Sequence, residues 1–179
     1  DGGACVQGTT TGLSISRVST QWVNGPKTKT TGLDFAASYT TDIGTGVLTL
    51  GANASHILTY DVGDFFLNGA LLREGFSAAG LANLDRNPGT IAQWRGNAYV
   101  NFNISGLNVR YGVKYVDGVR DERYDDPTFS VVPNFAPTFF GENISSFTQH
   151  DIHVAYDLPI ESFDAQLQFS VENFTNEDP

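Results

Sequence analysis

Six stretches of this chain alternate apolar and polar side chains with period two, and they run longer than most soluble strands. Period two means an extended strand with two unlike faces. From Gly32 to Tyr39, Leu33, Phe35, Ala37 and Tyr39 share one face, and Gly32, Asp34, Ala36 and Ser38 share the other. From Val47 to Tyr60 the apolar face reads Leu48, Leu50, Ala52, Ala54, Leu58 and Tyr60, interrupted by His56; Thr49, Gly51, Asn53, Ser55 and Thr59 lie opposite. Trp94 to Ile104 and Leu107 to Tyr115 continue the pattern, with Arg95, Asn97, Tyr99, Asn101, Asn108, Arg110 and Lys114 on the polar side. Ile152, Val154 and Tyr156 alternate with Asp151, His153, Ala155 and Asp157, and Leu167, Phe169 and Val171 with Gln166, Gln168, Ser170 and Glu172. Leu13 to Val23 is a further strand with a poorer pattern. The expected fold is all-β, with about seven antiparallel strands.

The connections alternate in length. Asp42-Ile43-Gly44-Thr45, Ser105-Gly106 and the stretch from Leu158 to Phe163 are short turns. Between them lie long connections, roughly 62–90 and 118–145, read as structureless loops. Such loops are uncommon in compact soluble domains. Short turns at one end and long loops at the other are the pattern of a transmembrane barrel, with its periplasmic turns and longer outer loops. With the turns at the periplasmic end, Tyr60, Trp94 and Tyr115 fall near the outer end of their strands, and Tyr39, Phe102 and Tyr156 near the periplasmic end. All six sit on the apolar side of the alternation, as two aromatic girdles around a lipid-facing band would. Arg95, Arg110 and Lys114 sit on the other side and are the candidate lumen-facing cations, with partners expected on nearby strands or on a missing plug.

Composition agrees. Apolar content is 40% and charged content 17%, with 19 Gly and no Met, which is strand and turn chemistry. The formal net charge of -10 excludes a phosphate-binding surface, so no nucleic-acid partner is expected. No apolar run approaches the roughly 20 residues of a membrane helix, which excludes helical spans and leaves strands open. The start, DGGACVQGTT, has neither the basic nor the apolar region of a signal peptide, so residues 1–179 read as an internal portion of one barrel domain. Cys5 is either a free loop thiol or paired with a cysteine upstream.

A soluble β-sandwich also alternates, because its core face is apolar. Strand length, the Arg, Lys, Asn and Gln on neighbouring polar faces, and the alternating loops favour the membrane. Two passages add a family resemblance. Val23-Asn24-Gly25 followed by Lys29-Thr30-Thr31-Gly32-Leu33-Asp34-Phe35 resembles a strand-pair passage of TonB-dependent receptors. Leu167 to Pro179, with Val171-Glu172-Asn173-Phe174-Thr175-Asn176, is similar to that family's penultimate strand and its ending, with Phe174 in place of the usual Leu. Tyr111-Gly112-Val113-Lys114-Tyr115-Val116-Asp117 looks like another strand end of the family. The resemblance spans nearly all of the chain. It implies a bacterial outer-membrane receptor for active uptake of a metal chelate, cobalamin or a glycan, surrounded by lipid and lipopolysaccharide and energised through TonB. It also implies that the plug domain, the TonB box and the final strand lie outside this chain.

No catalytic motif or cofactor signature is present, and an enzyme is the least supported class. A passive porin or adhesion barrel, and a soluble β-rich binding module, remain the rivals. The acidic run Asp117, Asp121, Glu122, Asp125 and Asp126 lacks the Gly and terminal Glu of a calcium loop, and Arg120 and Arg123 offset it, so it reads as a solvated outer loop. His56, His150 and His153 make no metal set, since His150 and His153 face opposite sides of one strand. His56 on an apolar face marks a bulge or a covered spot. The four Asn-x-Ser/Thr matches, at Asn53, Asn103, Asn143 and Asn173, read as chance. The Pro-rich, apolar stretch from Val131 to Phe140 reads as a loop packed over the barrel mouth or against a partner.

Overall fold

The computed structural model describes residues 6–7, 15–17, 23–83, 87–121, 142–160 and 162–178. Every regular element among them is a strand: β1 (Val6–Gln7), β2 (Ile15–Arg17), β3 (Thr28–Ile43), β4 (Gly46–Val62), β5 (Phe65–Leu67), β6 (Ala70–Arg73), β7 (Phe76–Ser77), β8 (Trp94–Ile104), β9 (Leu107–Val116), β10 (Val119–Arg120), β11 (Asn143–Ile144), β12 (Phe147–Leu158) and β13 (Ala165–Val171). No helix among them is long and apolar enough to cross a membrane, which leaves strand-built spans open.

Six long strands form one sheet in the order β13-β12-β9-β8-β4-β3, each antiparallel to its neighbour. It is an up-and-down meander with the strands in chain order. The sheet is open: β3 and β13 are its edges, and they do not pair with each other. The expected strand from Leu13 to Val23 falls mostly outside the described residues, with only Ile15–Arg17 seen, paired to β1.

The tight turns have backbone reasons. Ser105 and Gly106 both have positive φ, 48° and 80°, and link Ile104 to Leu107 directly. Two positive φ values in a two-residue loop match the right-handed twist of a hairpin. Gly44 (φ 62°) and Thr45 close β3 onto β4 between Ile43 and Gly46.

Registers carry the sheet's two faces across all six strands. One row runs Tyr39, Leu50, Val100, Tyr111, Ile152, Val171, and every member is apolar or aromatic. The next row runs Thr40, Thr49, Asn101, Arg110, His153, Ser170, and every member is polar. Among the described residues neither face is covered by another layer. Phe35 is 50% exposed, Tyr39 61%, Leu167 62% and Phe169 63%. A soluble sandwich would bury these side chains.

The long connection after β4 is not structureless, which corrects the sequence reading. It holds the β5–β6 hairpin, turned by Asn68 and Gly69 at φ 52° and 82°, and β7 paired back onto the outer end of β4. Asn-Gly between apolar runs is the strongest short-range hairpin signal and was legible all along. The second long connection begins and ends with β10 and β11, paired to each other. The two connections also join through a parallel bridge between Leu81 and Arg120. Backbone bonds reinforce it, from Ala82 N to the Arg120 carbonyl at 2.8 Å and from Arg120 N to the Gly80 carbonyl at 2.9 Å. Ala78, Ala82, Ala92 and Val119 are buried here, with Val116 and Ile144 packed on the cluster, so apart from Ala155 in β12 the buried apolar residues of the described part sit at the loop end and not between layers.

Candidate functional site

The polar face of the sheet is the candidate site. Its rows are knitted by side-chain hydrogen bonds between neighbouring strands. Ser55 Oγ donates to Asp34 Oδ1 at 2.5 Å, and Asn53 Nδ2 to Asn97 Oδ1 at 3.0 Å. His153 Nδ1 and Ser170 Oγ lie 2.6 Å apart, and Gln166 Nε2 donates to Asp157 Oδ1 at 2.7 Å.

The three expected lumen cations share this face but differ in setting. Lys114 pairs with Asp151 of the adjacent strand at 3.0 Å. Asp151 also accepts from Gln149 Nε2 and from the backbone of Asn173. Arg110 makes neither a hydrogen bond nor an ion pair among the described residues; its guanidinium carbon lies 3.9 Å from the centre of the Tyr99 ring. Arg95 pairs in register with Ser55 and Val116 and carries no carboxylate partner among the described residues. Tyr99 is the residue that alternation alone undervalued. Its ring lies across Gly51, where a Cβ would overlap it. Asn97, Tyr99, Arg110, Gly112, Lys114, Asp151 and His153 surround a shallow hollow of about 330 Å³.

The aromatic residues expected on the opposite face divide. Tyr39, Trp94, Phe102, Tyr115 and Tyr156 lie in its rows. Tyr60 does not. The ladder slips by one residue between Thr31 and Gly32: Gly32 pairs with Ile57, but Thr31 pairs with Thr59. Leu58 is the extra residue of a bulge, and Tyr60 emerges opposite Thr30, on the side of Asp34 and Ala36. The reason is a change of partner. β8 follows β4 only as far as His56, and beyond it β4 pairs with β7 at Asp61 and Val62. The bulge lies two residues past His56, and His56 itself is covered: its ring stacks on Trp94 with centroids 4.1 Å apart, and its Nδ1 lies 3.3 Å from the Gln93 carbonyl.

His150 and His153 face opposite sides, paired with Val113 and Arg110 respectively. At the end of the chain Asn173 and Glu177 form a closed knot. Asn173 Nδ2 donates to the Glu177 carbonyl, Glu177 N to Asn173 Oδ1, and Thr148 N to Glu177 Oε1. This knot covers the outer half of the β12 edge that the short β13 leaves unpaired.

Of the acidic run, Asp117 accepts from Tyr115 Oη and from Gly118 N, and Asp121 is buried at 1% exposure. Glu122, Asp125 and Asp126 lie outside the described residues, as do Cys5, Arg123 and the Pro-rich stretch from Val131 to Phe140. Asn83 is also buried at 1%, and its amide nitrogen lies within 3.2 Å of the carbonyls of Ala78, Leu81 and Gly89.

The family model for the β-barrel of TonB dependent receptor-like proteins matches residues 2–174. The chain belongs to this family. Its open six-strand sheet is therefore part of a transmembrane barrel wall, and the TonB-dependent receptor barrel is an outer-membrane architecture of transport and reception. No curated protein and no solved structure matches the chain.

Proposed function

We propose that this wall belongs to an outer-membrane receptor that takes up a scarce nutrient, a metal chelate, cobalamin or a glycan, at the expense of TonB-transmitted energy. The apolar face meets lipid, and the polar face with Arg95, Arg110 and Lys114 lines the lumen. Tyr39, Phe102 and Tyr156 sit at the turn-side interface of the membrane, and Trp94 and Tyr115 at the loop side, next to lipopolysaccharide. Tyr60 leaves that girdle for the lumen side. The plug and the remaining barrel strands are the wall's partners within the same receptor.

One observation carries the reading. The same six strands hold an uninterrupted apolar row and, next to it, an uninterrupted polar row, with neither face covered among the described residues. Lipid on one side and water on the other is the environment that satisfies both.

The test is uptake by cells carrying the full-length receptor. Labelled ferric chelates, cobalamin and oligosaccharides are offered to cells with and without the gene, before and after a proton uncoupler. Accumulation of one class that needs both the gene and the proton gradient is expected. Flux that persists after uncoupling would replace active uptake with a passive pore, and a protein recovered in the aqueous fraction without detergent would end the membrane reading.

A further inference from the structure

We propose that the two long connections, 63–93 and 117–146, are locked into one cooperative unit, a four-segment ribbon that closes the wall above Trp94 and opens only as a whole. The inference concerns the wall itself and holds whatever solute the receptor takes.

Four stretches of chain lie side by side at the loop end. Gly80 N donates to the Ile91 carbonyl at 2.7 Å, and Ile91 N to the Leu81 carbonyl at 3.0 Å. Arg120 comes next, in the parallel bridge with Leu81. Its N–H and its carbonyl both turn toward the first connection, to the Gly80 carbonyl and the Ala82 N–H. The other side of this segment belongs to β11. Val119 and Arg120 pair with Ile144 and Asn143, and Asp121 N donates to the Glu142 carbonyl at 3.0 Å. Backbone bonds therefore run from Ile91 across to β11 and join both connections.

Small residues let the segments approach. Ala78 and Ala82 have no exposed surface, and Ala92 has almost none. Gly118 does the same for the second connection. A Cβ there would lie 2.7 Å from the Ile144 carbonyl oxygen and 3.0 Å from Ser146 N, and backbone cannot swing aside as a side chain can. Ala82 and Ala92 of the first connection share one apolar cluster with Val119 of the second. The cluster lies at the joint, so neither half keeps a core when the other leaves. That is the condition for opening as a unit.

The place of the ribbon gives it a task. β8 follows β4 only as far as the His56–Trp94 pair, and above it the two strands part. The ribbon spans the parting. It is tied to β4 by Ala78 N to the Tyr60 carbonyl at 2.7 Å and by Ile57 N to the Gln93 carbonyl at 2.8 Å. On the β8 side, Asp117 N donates to the Trp94 carbonyl at 2.9 Å. Strand ends that part offer unpaired backbone groups, and the ribbon pairs them. A displacement of residues 80–82 is then carried to residues 119–121.

Hydrogen exchange of the full-length receptor in outer-membrane vesicles, resolved to single amides by fragmentation mass spectrometry, tests this. Ile91 and Asp121 are the reporters, because neither amide bonds across the joint. After correction for intrinsic rates, their protection should agree within about threefold, since amides of one cooperative unit share one opening. Gly118→Ala, a change in the second connection alone, should speed exchange at both by the same factor, roughly tenfold, as forcing a methyl into packed surroundings does. Asn83→Ala, whose three carbonyl contacts all lie in the first connection, should also speed both equally. Val100 in the wall should not change. If Gly118→Ala does not assemble, Val119→Ala takes its place.

Reporters that differ by more than about threefold in the parent receptor open separately, which overturns the proposal. A variant that speeds only its own connection overturns it as well. So does a Gly118→Ala receptor unchanged at both reporters, since the ribbon requires that close approach.

Discussion

The Tyr111 hydroxyl and His150 Nδ1 share a hydrogen bond of 2.7 Å on the apolar face of the sheet. The two rings stack with centroids 6.0 Å apart, and Phe174 closes over both at 6.3 Å and 5.9 Å. A polar pair can face lipid when its members satisfy each other and aromatic rings cover them. Tyr111→Phe strands the imidazole and should cost about 1–3 kcal/mol. His150→Leu, or the double variant, should cost less, since no polar group is then left alone. The unfolding midpoint of the full receptor in detergent, read by gel mobility with and without heating, checks this. A double variant no more stable than Tyr111→Phe would contradict the pairing.

Val100 and Asn101 are adjacent in β8 but lie on opposite faces, in the all-apolar and the all-polar row. If the first row meets lipid, Val100→Arg should destabilise the barrel by about 2–4 kcal/mol, the midplane cost on a barrel's lipid face. Asn101→Arg should stay within about 0.5 kcal/mol, as ordinary wet-surface substitutions do. Urea refolding into vesicles measures both. Equal costs would remove the assignment of faces.

Ser105 sits at φ 48° in a two-residue turn, a conformation that Asn adopts more readily than Ser. Ser105→Asn should therefore raise stability by about 0.5 kcal/mol. Gly106→Val, at φ 80°, should lower it by more than about 1 kcal/mol. The same refolding assay reads both, and opposite signs are the expected result.

Asn83 ties the first outer connection together through three carbonyls. Asn83→Ala should leave the Gly89 carbonyl unmet, while the Ala78 and Leu81 carbonyls keep the amides of Leu81 and Ile91, and should loosen the connection against the β10 segment at a local cost of about 1–3 kcal/mol. External protease on intact cells should then cut within 78–92 at least several-fold faster, while the six-strand sheet stays protected. Unchanged cutting would mean that the buried alanines alone hold the cluster.

Both sheet edges, β3 over Thr28–Ile43 and β13 over Ala165–Val171, offer unpaired backbone groups. Residues 1–179 expressed alone should aggregate, because open edges and an exposed apolar face have no partner in water. A soluble, folded monomer in sedimentation would refute this.

Alternation by itself determined the strands, their two faces and the antiparallel meander, because a side chain's side of a strand depends only on its parity in the chain. It placed His150 and His153 on opposite faces and put Arg95, Arg110 and Lys114 together. Asn68-Gly69 was equally local and readable, yet a loop assigned by length hid it. Parity fails where the register slips. Tyr60 changed sides because β4 takes an extra residue at Leu58 on exchanging β8 for β7, and no local signal marks a change of partner. The seating of Tyr99 over Gly51 and under Arg110, the burial of Asn83 and Asp121, and the knot of Asn173 and Glu177 were also beyond the sequence. The Tyr99 seating joins three strands that only the register of the folded sheet brings into contact, while the Asn83 and Asn173 bonds are local and arise from turns whose path the packed loops decide.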